Sequence, residues 1–126
     1  MKILGIDYGR KKIGLAIAEA SLAEPLSVIR YESLKEALEK IKGIIDSEKI
    51  DKIVLGVSEG LMAEEEKEFG LKLSGLTKTL LVFQDETLTT QEAQELSIKA
   101  GVRRKKRKLM EDAYSAALIL QSYLNE

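Results

Sequence analysis

Lys2-Ile3-Leu4-Gly5-Ile6-Asp7-Tyr8-Gly9-Arg10-Lys11-Lys12-Ile13-Gly14-Leu15-Ala16-Ile17-Ala18 is the stretch that decides the fold. It predicts two buried strands joined by a tight turn. The run Ile3 to Ile6 is short and nearly all apolar, as a central strand covered on both faces should be. Asp7 arrives where that strand ends, and Gly9 with Arg10, Lys11 and Lys12 forms the turn. The second apolar run, Ile13 to Ala18, follows too soon for a crossover helix, so it returns antiparallel. A carboxylate at the end of a central strand, beside a glycine and a basic turn, suits a metal ion or a phosphate. Taken alone, Asp7 would serve equally well to shape the turn through its short side chain.

The composition narrows the chemistry. At 126 residues and 14.0 kDa the chain is expected to form one domain, 1–126, with a sizeable core. Apolar residues make up 44% and charged residues 33%, and the net charge of −1 points to no partner by itself, so only local clusters can. There is no cysteine, which removes disulfide and thiol chemistry, and no histidine, the commonest general base and transition-metal ligand. Catalysis is left with carboxylates, hydroxyls, lysines or a hard metal ion. Asp7 interrupts the first apolar stretch too early for a signal peptide, and no run approaches membrane-spanning length. The expectation is a cytoplasmic protein with no membrane partner.

Along the chain, Pro25 is expected to separate the hairpin from a third short strand around Ser27 to Tyr31. Ser33 and Glu36 form a capping box, and Leu34, Ala37, Leu38, Ile41, Ile44 and Ile45 recur at helical spacing. Ile50 to Val57 is the next strand, reached by a right-handed crossover and parallel to the first. Gly56, Ser58 and Gly60 make a loop at its end. A charged helix follows over Met62 to Leu76, with Glu64, Glu65 and Glu66 read as a solvated face that suits the helix dipole. Thr79 to Gln84 is the last strand, ending in Asp85-Glu86. Thr89 and Glu92 cap a helix to about Ala100. The basic run Arg103 to Lys108 and a helix over Leu109 to Leu124 complete the chain.

This order implies an α/β protein with a mixed five-stranded sheet and helices on both faces. Asp7 ends the first strand, Glu86 follows the last, and Asp112 enters a helix that packs across the sheet. Sites in open parallel sheets gather outside the carboxyl ends of the strands. Carboxylates converging without histidine suit hard divalent ions, and a pair of such ions can clamp the attacking and leaving oxygens of a phosphodiester. Each acid taken singly also has an ordinary reading as a surface or capping residue, Asp112 above all, because Asp is favoured near helix starts.

The chain resembles the YqgF family, also called RuvX. The likeness rests on Gly5-Ile6-Asp7-Tyr8-Gly9 with Arg10 and Ile13-Gly14-Leu15-Ala16, on Asp85-Glu86 with Leu88-Thr89-Thr90 and Glu92-Ala93, and on Asp112-Ala113 with Ala116-Ala117 and Leu118-Ile119-Leu120-Gln121. The resemblance implies a ribonuclease-H-like fold and a metal-dependent nuclease acting on structured nucleic acid. Its setting would be 5′-end processing of pre-16S ribosomal RNA, or the role of an endonuclease like the Holliday-junction resolvases. It implies Asp7, Glu86 and Asp112 as the catalytic and metal-holding acids, with Mg²⁺ or Mn²⁺, two ions, as cofactor. One stretch departs from the family. Where members usually carry a proline and an Asn-x-x-Gly-rich loop, this chain has the shorter Ser58-Glu59-Gly60-Leu61-Met62-Ala63.

Arg103, Arg104, Lys105, Lys106, Arg107 and Lys108 repel one another unless something anionic offsets them, and a phosphate backbone would. Arg10, Lys11 and Lys12 extend the same expected nucleic-acid surface past Asp7. A solvated connection between helices is the plainer reading of such a run. Tyr8 and Tyr114 are the aromatics nearest these segments in sequence, so base stacking is expected to be minor. The expected partners are precursor ribosomal RNA or branched DNA, and ribosomal or pre-ribosomal particles, with the protein a monomer or homodimer. Two alternatives stand. One is a non-catalytic RNA-binding ribosome-assembly factor. The other is a phosphotransferase of the actin and sugar-kinase type, which would need a second such domain.

Overall fold

The computed structural model describes residues 1–85 and 109–126. Glu86, the expected helix from Thr89 to Ala100 and the basic run Arg103 to Lys108 lie outside these residues. The described elements are β1 (Ile3–Asp7), β2 (Lys12–Ala18), β3 (Glu24–Arg30), α1 (Leu34–Glu48), β4 (Lys52–Val57), α2 (Ala63–Thr77), β5 (Leu80–Asp85) and α3 (Glu111–Leu124). The five strands form one sheet in the order β3-β2-β1-β4-β5. β1 pairs antiparallel with β2 and parallel with β4, β2 pairs antiparallel with β3, and β5 is parallel to β4. This is the expected mixed sheet, with helices on both faces.

Alternation along β1 divides the core. Leu4 and Ile6 point to one face, where they join Ile41 and Ile45 of α1 and Phe69 and Leu73 of α2. Ile3 points to the other, with Ala16, Val54, Ala116, Ile119 and Leu120. Leu4, Ile6, Leu15, Ile53 and Leu55 are fully buried. Truncating any of them to Ala is worth about 2–5 kcal/mol. α1 starts as its sequence requires, with Ser33 Oγ accepting from the Glu36 N–H at 3.2 Å. It ends at Lys49, which takes the left-handed conformation at φ 55 and donates its N–H to the Ile45 carbonyl.

The third strand corrects the expectation at Pro25, which lies inside β3 rather than before it. β3 is an edge strand, where a residue lacking an N–H is tolerated. The register slips there as well. Leu15 faces Ser27 while Ala16 faces Pro25, so Leu26 is the extra residue of a bulge. Among the described residues no helix is long and apolar enough to cross a membrane.

Candidate active site

β1, β4 and β5 run parallel, so Asp7, Val57 and Asp85 end at one edge of the sheet. α3 runs back across the sheet and touches every strand. Its far end is fixed by Lys52 Nζ, at the start of β4, donating to the Tyr123 hydroxyl at 2.9 Å. Gln121 also ties it down, accepting from the Ala23 N–H and donating to the Ser21 carbonyl, both at 2.9 Å. The first turn of α3, with Glu111 and Asp112, therefore stands at the carboxyl edge. The positive end of its dipole is there too.

Two glycines let α3 sit this low. A Cβ on Gly5 would stand 2.8 Å from Leu120 Cβ and 3.0 Å from the Ala116 carbonyl oxygen. A Cβ on Gly14 would stand 1.9 Å from the Asp112 carbonyl oxygen. Gly14 is the register partner of Asp7. Side chains directly opposite in an antiparallel pair share a face, so Asp7 points to the face that α3 covers, as Ile3 does. The sheet position of Asp7 and the first turn of α3 thus meet across Gly14.

The basic turn is held from both sides. Lys12 Nζ lies 3.1 Å from Asp112 Oδ2, with side-chain exposures of 43% and 27%. Arg10 Nε lies 3.3 and 3.2 Å from the two carboxylate oxygens of Glu65 in α2. Lys11, between them, is exposed at the tip. Two of the three cations of this turn that were expected to meet nucleic acid, Arg10 and Lys12, are therefore paired with carboxylates.

Of the expected acids, Asp7 and Asp112 stand on backbone positions that meet across Gly14, and Glu86 lies outside the described residues. Among the described residues no group of three acidic side chains is arranged for a metal ion. The Asp7 and Asp112 carboxylates offer oxygen donors of the kind hard divalent ions take. The Lys12 ammonium shows that a cation is already accommodated at Asp112.

Of the α2 acids, Glu64 is exposed as expected, whereas Glu66 departs from the reading of a solvated face. Glu66 is 2% exposed, and its Oε1 accepts from the Ser58 N–H at 3.0 Å and the Ser58 hydroxyl at 2.7 Å. Buried polar groups require such partners. The shortened loop after β4 is therefore anchored by a buried carboxylate. The signal was present: Glu66, Phe69, Gly70 and Leu73 have the spacing of one helix face, and all four are buried.

Tyr8 points away from Asp7 to the α1 and α2 side. Its ring lies 4.7 Å from that of Phe69, and the Tyr31 hydroxyl donates to the Gly9 carbonyl. Burial, then the hydrogen bond with Tyr31, push the Tyr8 phenol well above its ordinary value. Tyr114 is buried and offers no stacking face. The fold instead brings Tyr31 and Phe69 to Tyr8, which sequence proximity did not show.

The RuvX family model, described as Holliday junction resolvase, matches residues 1–126. A protein of Carboxydothermus hydrogenoformans named "Putative pre-16S rRNA nuclease" is 42% identical over 133 residues, covering 99% of this chain and 96% of that protein. Among solved structures, Thermus thermophilus RuvC in complex with a Holliday junction substrate matches with a TM-score of 0.69 at 15% identity, over 99% of this chain and 95% of that one. The Fowlpox virus resolvase in complex with Holliday junction DNA matches with a TM-score of 0.69 at 14% identity, over 99% of this chain and 97% of that one. Likeness at that identity shows the fold, which is the ribonuclease-H-like fold of these resolvases. The match of the family model along the whole chain, together with the close relative, shows that this protein belongs to the RuvX family.

Proposed function

We propose that this protein is a metal-dependent nuclease that cuts phosphodiester bonds in structured nucleic acid, with precursor 16S ribosomal RNA as its substrate. The observation that carries the reading is the meeting of Asp7 and Asp112 across Gly14 at the carboxyl edge of the sheet. Asp7, Asp112 and Glu86 are the acids that would hold Mg²⁺ or Mn²⁺, two ions. A divalent ion at such a site supplies Lewis-acid stabilisation of phosphoryl oxygens and a more acidic attacking water. Asp7 stands on a central strand and Asp112 on a helix locked to that strand, so neither acid has to be ordered when substrate arrives. Lys11 projects at the turn and, with Lys12 and the run Arg103 to Lys108, would meet the phosphate backbone. Whole-length relatives named for pre-16S rRNA favour RNA over a DNA junction, since the resolvase structures share only the fold with this chain.

The test is incubation of the pure protein with precursor 16S RNA and, separately, with a four-way DNA junction, in Mg²⁺ or Mn²⁺, beside an Asp7→Asn control. The expected result is cleavage of the RNA, lost in EDTA and in the variant. Cleavage confined to the junction would move the substrate to DNA. Binding of the RNA with no cleavage in any divalent ion would replace the nuclease by a ribosome-assembly factor.

A further inference from the structure

We propose that the recess between Tyr8, Tyr31 and α2 is a pocket for one unpaired nucleobase of the bound strand, an inference that rests on the nucleic-acid reading above. The recess has a volume of about 290 Å³ and is lined by Tyr8, Arg10, Tyr31, Glu65, Glu68 and Phe69, among others. That is at the lower end of small-molecule pockets, roughly 300–1,000 Å³, enough for one ring system and not for a nucleoside triphosphate.

The lining selects a flat, neutral ring. Tyr8 makes the aromatic floor, backed from beneath by the buried Phe69, with ring centroids 4.7 Å apart and planes inclined by 36°. The hydroxyl of Tyr31 is held by the Gly9 carbonyl, which fixes that ring in the wall. The rim is polar. Arg10 pairs with Glu65, and Lys72 Nζ lies 3.1 Å from Glu68 Oε1. Glu32 adds a third carboxylate against two cations. A phosphate entering the recess would meet this acidic excess, whereas an uncharged base would not. Carboxylates only accept hydrogen bonds, so the rim suits bases with exocyclic amino groups, as adenine has and uracil lacks.

Position supplies the connection to the site. Tyr8 follows Asp7 directly, and alternation sends the two side chains to opposite faces of the sheet edge. A strand with its phosphate at Asp7 can therefore lay a neighbouring base on the Tyr8 side. The two tyrosines come from the end of β1 and from just beyond β3, and Phe69 from α2, so only the folded chain assembles this surface.

The experiment measures binding by fluorescence anisotropy, with Ca²⁺ as the divalent ion. The probes are an RNA hairpin with a short unpaired adenine bulge, the same hairpin with uracil there, and the same hairpin with abasic sites there. Base–aromatic stacking leads to an expected preference of about tenfold for the adenine bulge over the abasic one in the wild type. Tyr31→Leu should abolish that preference while leaving affinity for the abasic hairpin unchanged. Glu65→Gln should keep the preference over the abasic hairpin and lose that of adenine over uracil. Equal binding of adenine and abasic hairpins by the wild type overturns the pocket and leaves the nuclease reading standing. Failure to bind any hairpin overturns both. Should Tyr31→Leu fail to fold, the wild-type comparison decides alone.

Discussion

Gly14 and Asp112 touch through their backbones so closely that a Cβ on the glycine would stand 1.9 Å from the aspartate carbonyl oxygen. That contact fixes the height and the register of α3 at the sheet edge where Asp7 ends β1. Gly14→Ala must push the first turn of α3 outward, because the obstacle is backbone and no rotamer change relieves it. Overpacking of this kind costs about 1–3 kcal/mol. The expected outcome in urea unfolding is a loss at the upper end of that range, together with weakened divalent-ion binding. Wild-type stability and wild-type ion affinity in this variant would show that the glycine does not set the site.

Lys12 makes the second contact to Asp112, at 3.1 Å, and competes there with any incoming cation. The pair is partly exposed, so its loss should cost well under about 1 kcal/mol of stability. Lys12→Met is expected to bind Mn²⁺ severalfold more tightly than wild type in calorimetry, and to bind nucleic acid more weakly with a shallower salt dependence. Unchanged or weaker Mn²⁺ binding would mean that the ammonium does not occupy the ion's place.

Glu66 holds the loop after β4 through two hydrogen bonds from Ser58. Glu66→Ala leaves a part-buried N–H without its acceptor and opens a cavity, which should cost about 1–3 kcal/mol for the lost partner alone. Glu66→Gln keeps an oxygen acceptor and should cost less. Equal losses in the two variants, read from denaturant midpoints, would indicate that side-chain volume rather than the hydrogen bonds matters.

The exposed helix glycines and the left-handed lysines suggest opposite substitutions. A Cβ at Gly43 in α1 meets nothing within 4 Å, so Gly43→Ala should raise stability by about 0.5–1 kcal/mol. Lys49 closes the same helix at φ 55, a conformation that glycine adopts at least cost, so Lys49→Gly should also raise the melting temperature. A fall in both variants would contradict the described course of α1.

The sequence made the mixed sheet readable because the first two apolar runs lie too close for a crossover and the next helix carries the chain back parallel, while the strand order β3-β2-β1-β4-β5 came only with the structure. Asp7 stood out because a carboxylate ends an otherwise apolar strand. Asp112 was readable as a helix acid expected to converge with Asp7, but the contact that sets its position was not, because it depends on Gly14 being small opposite a residue almost a hundred positions later in the chain. Glu66 was hidden by its neighbours Glu64 and Glu65, whose charge suggested solvent although the helical spacing placed Glu66 beside Phe69. Pro25 suggested a break, and only the edge position of β3 makes it a strand residue. Arg10 read as a phosphate contact, while its partner Glu65 comes from a helix that was expected but whose packing beside the basic turn the local sequence does not reveal.

The most direct test of the central claim, that Asp7 and Asp112 form one divalent-ion site, is Mn²⁺ binding by calorimetry to wild type, Asp7→Asn, Asp112→Asn and the double variant, with folding checked by circular dichroism. Acids that act on one ion lose affinity together, so each single variant should fall nearly as far as the double one. Equal Mn²⁺ affinity in all four proteins, or two independent losses that add, would contradict the account.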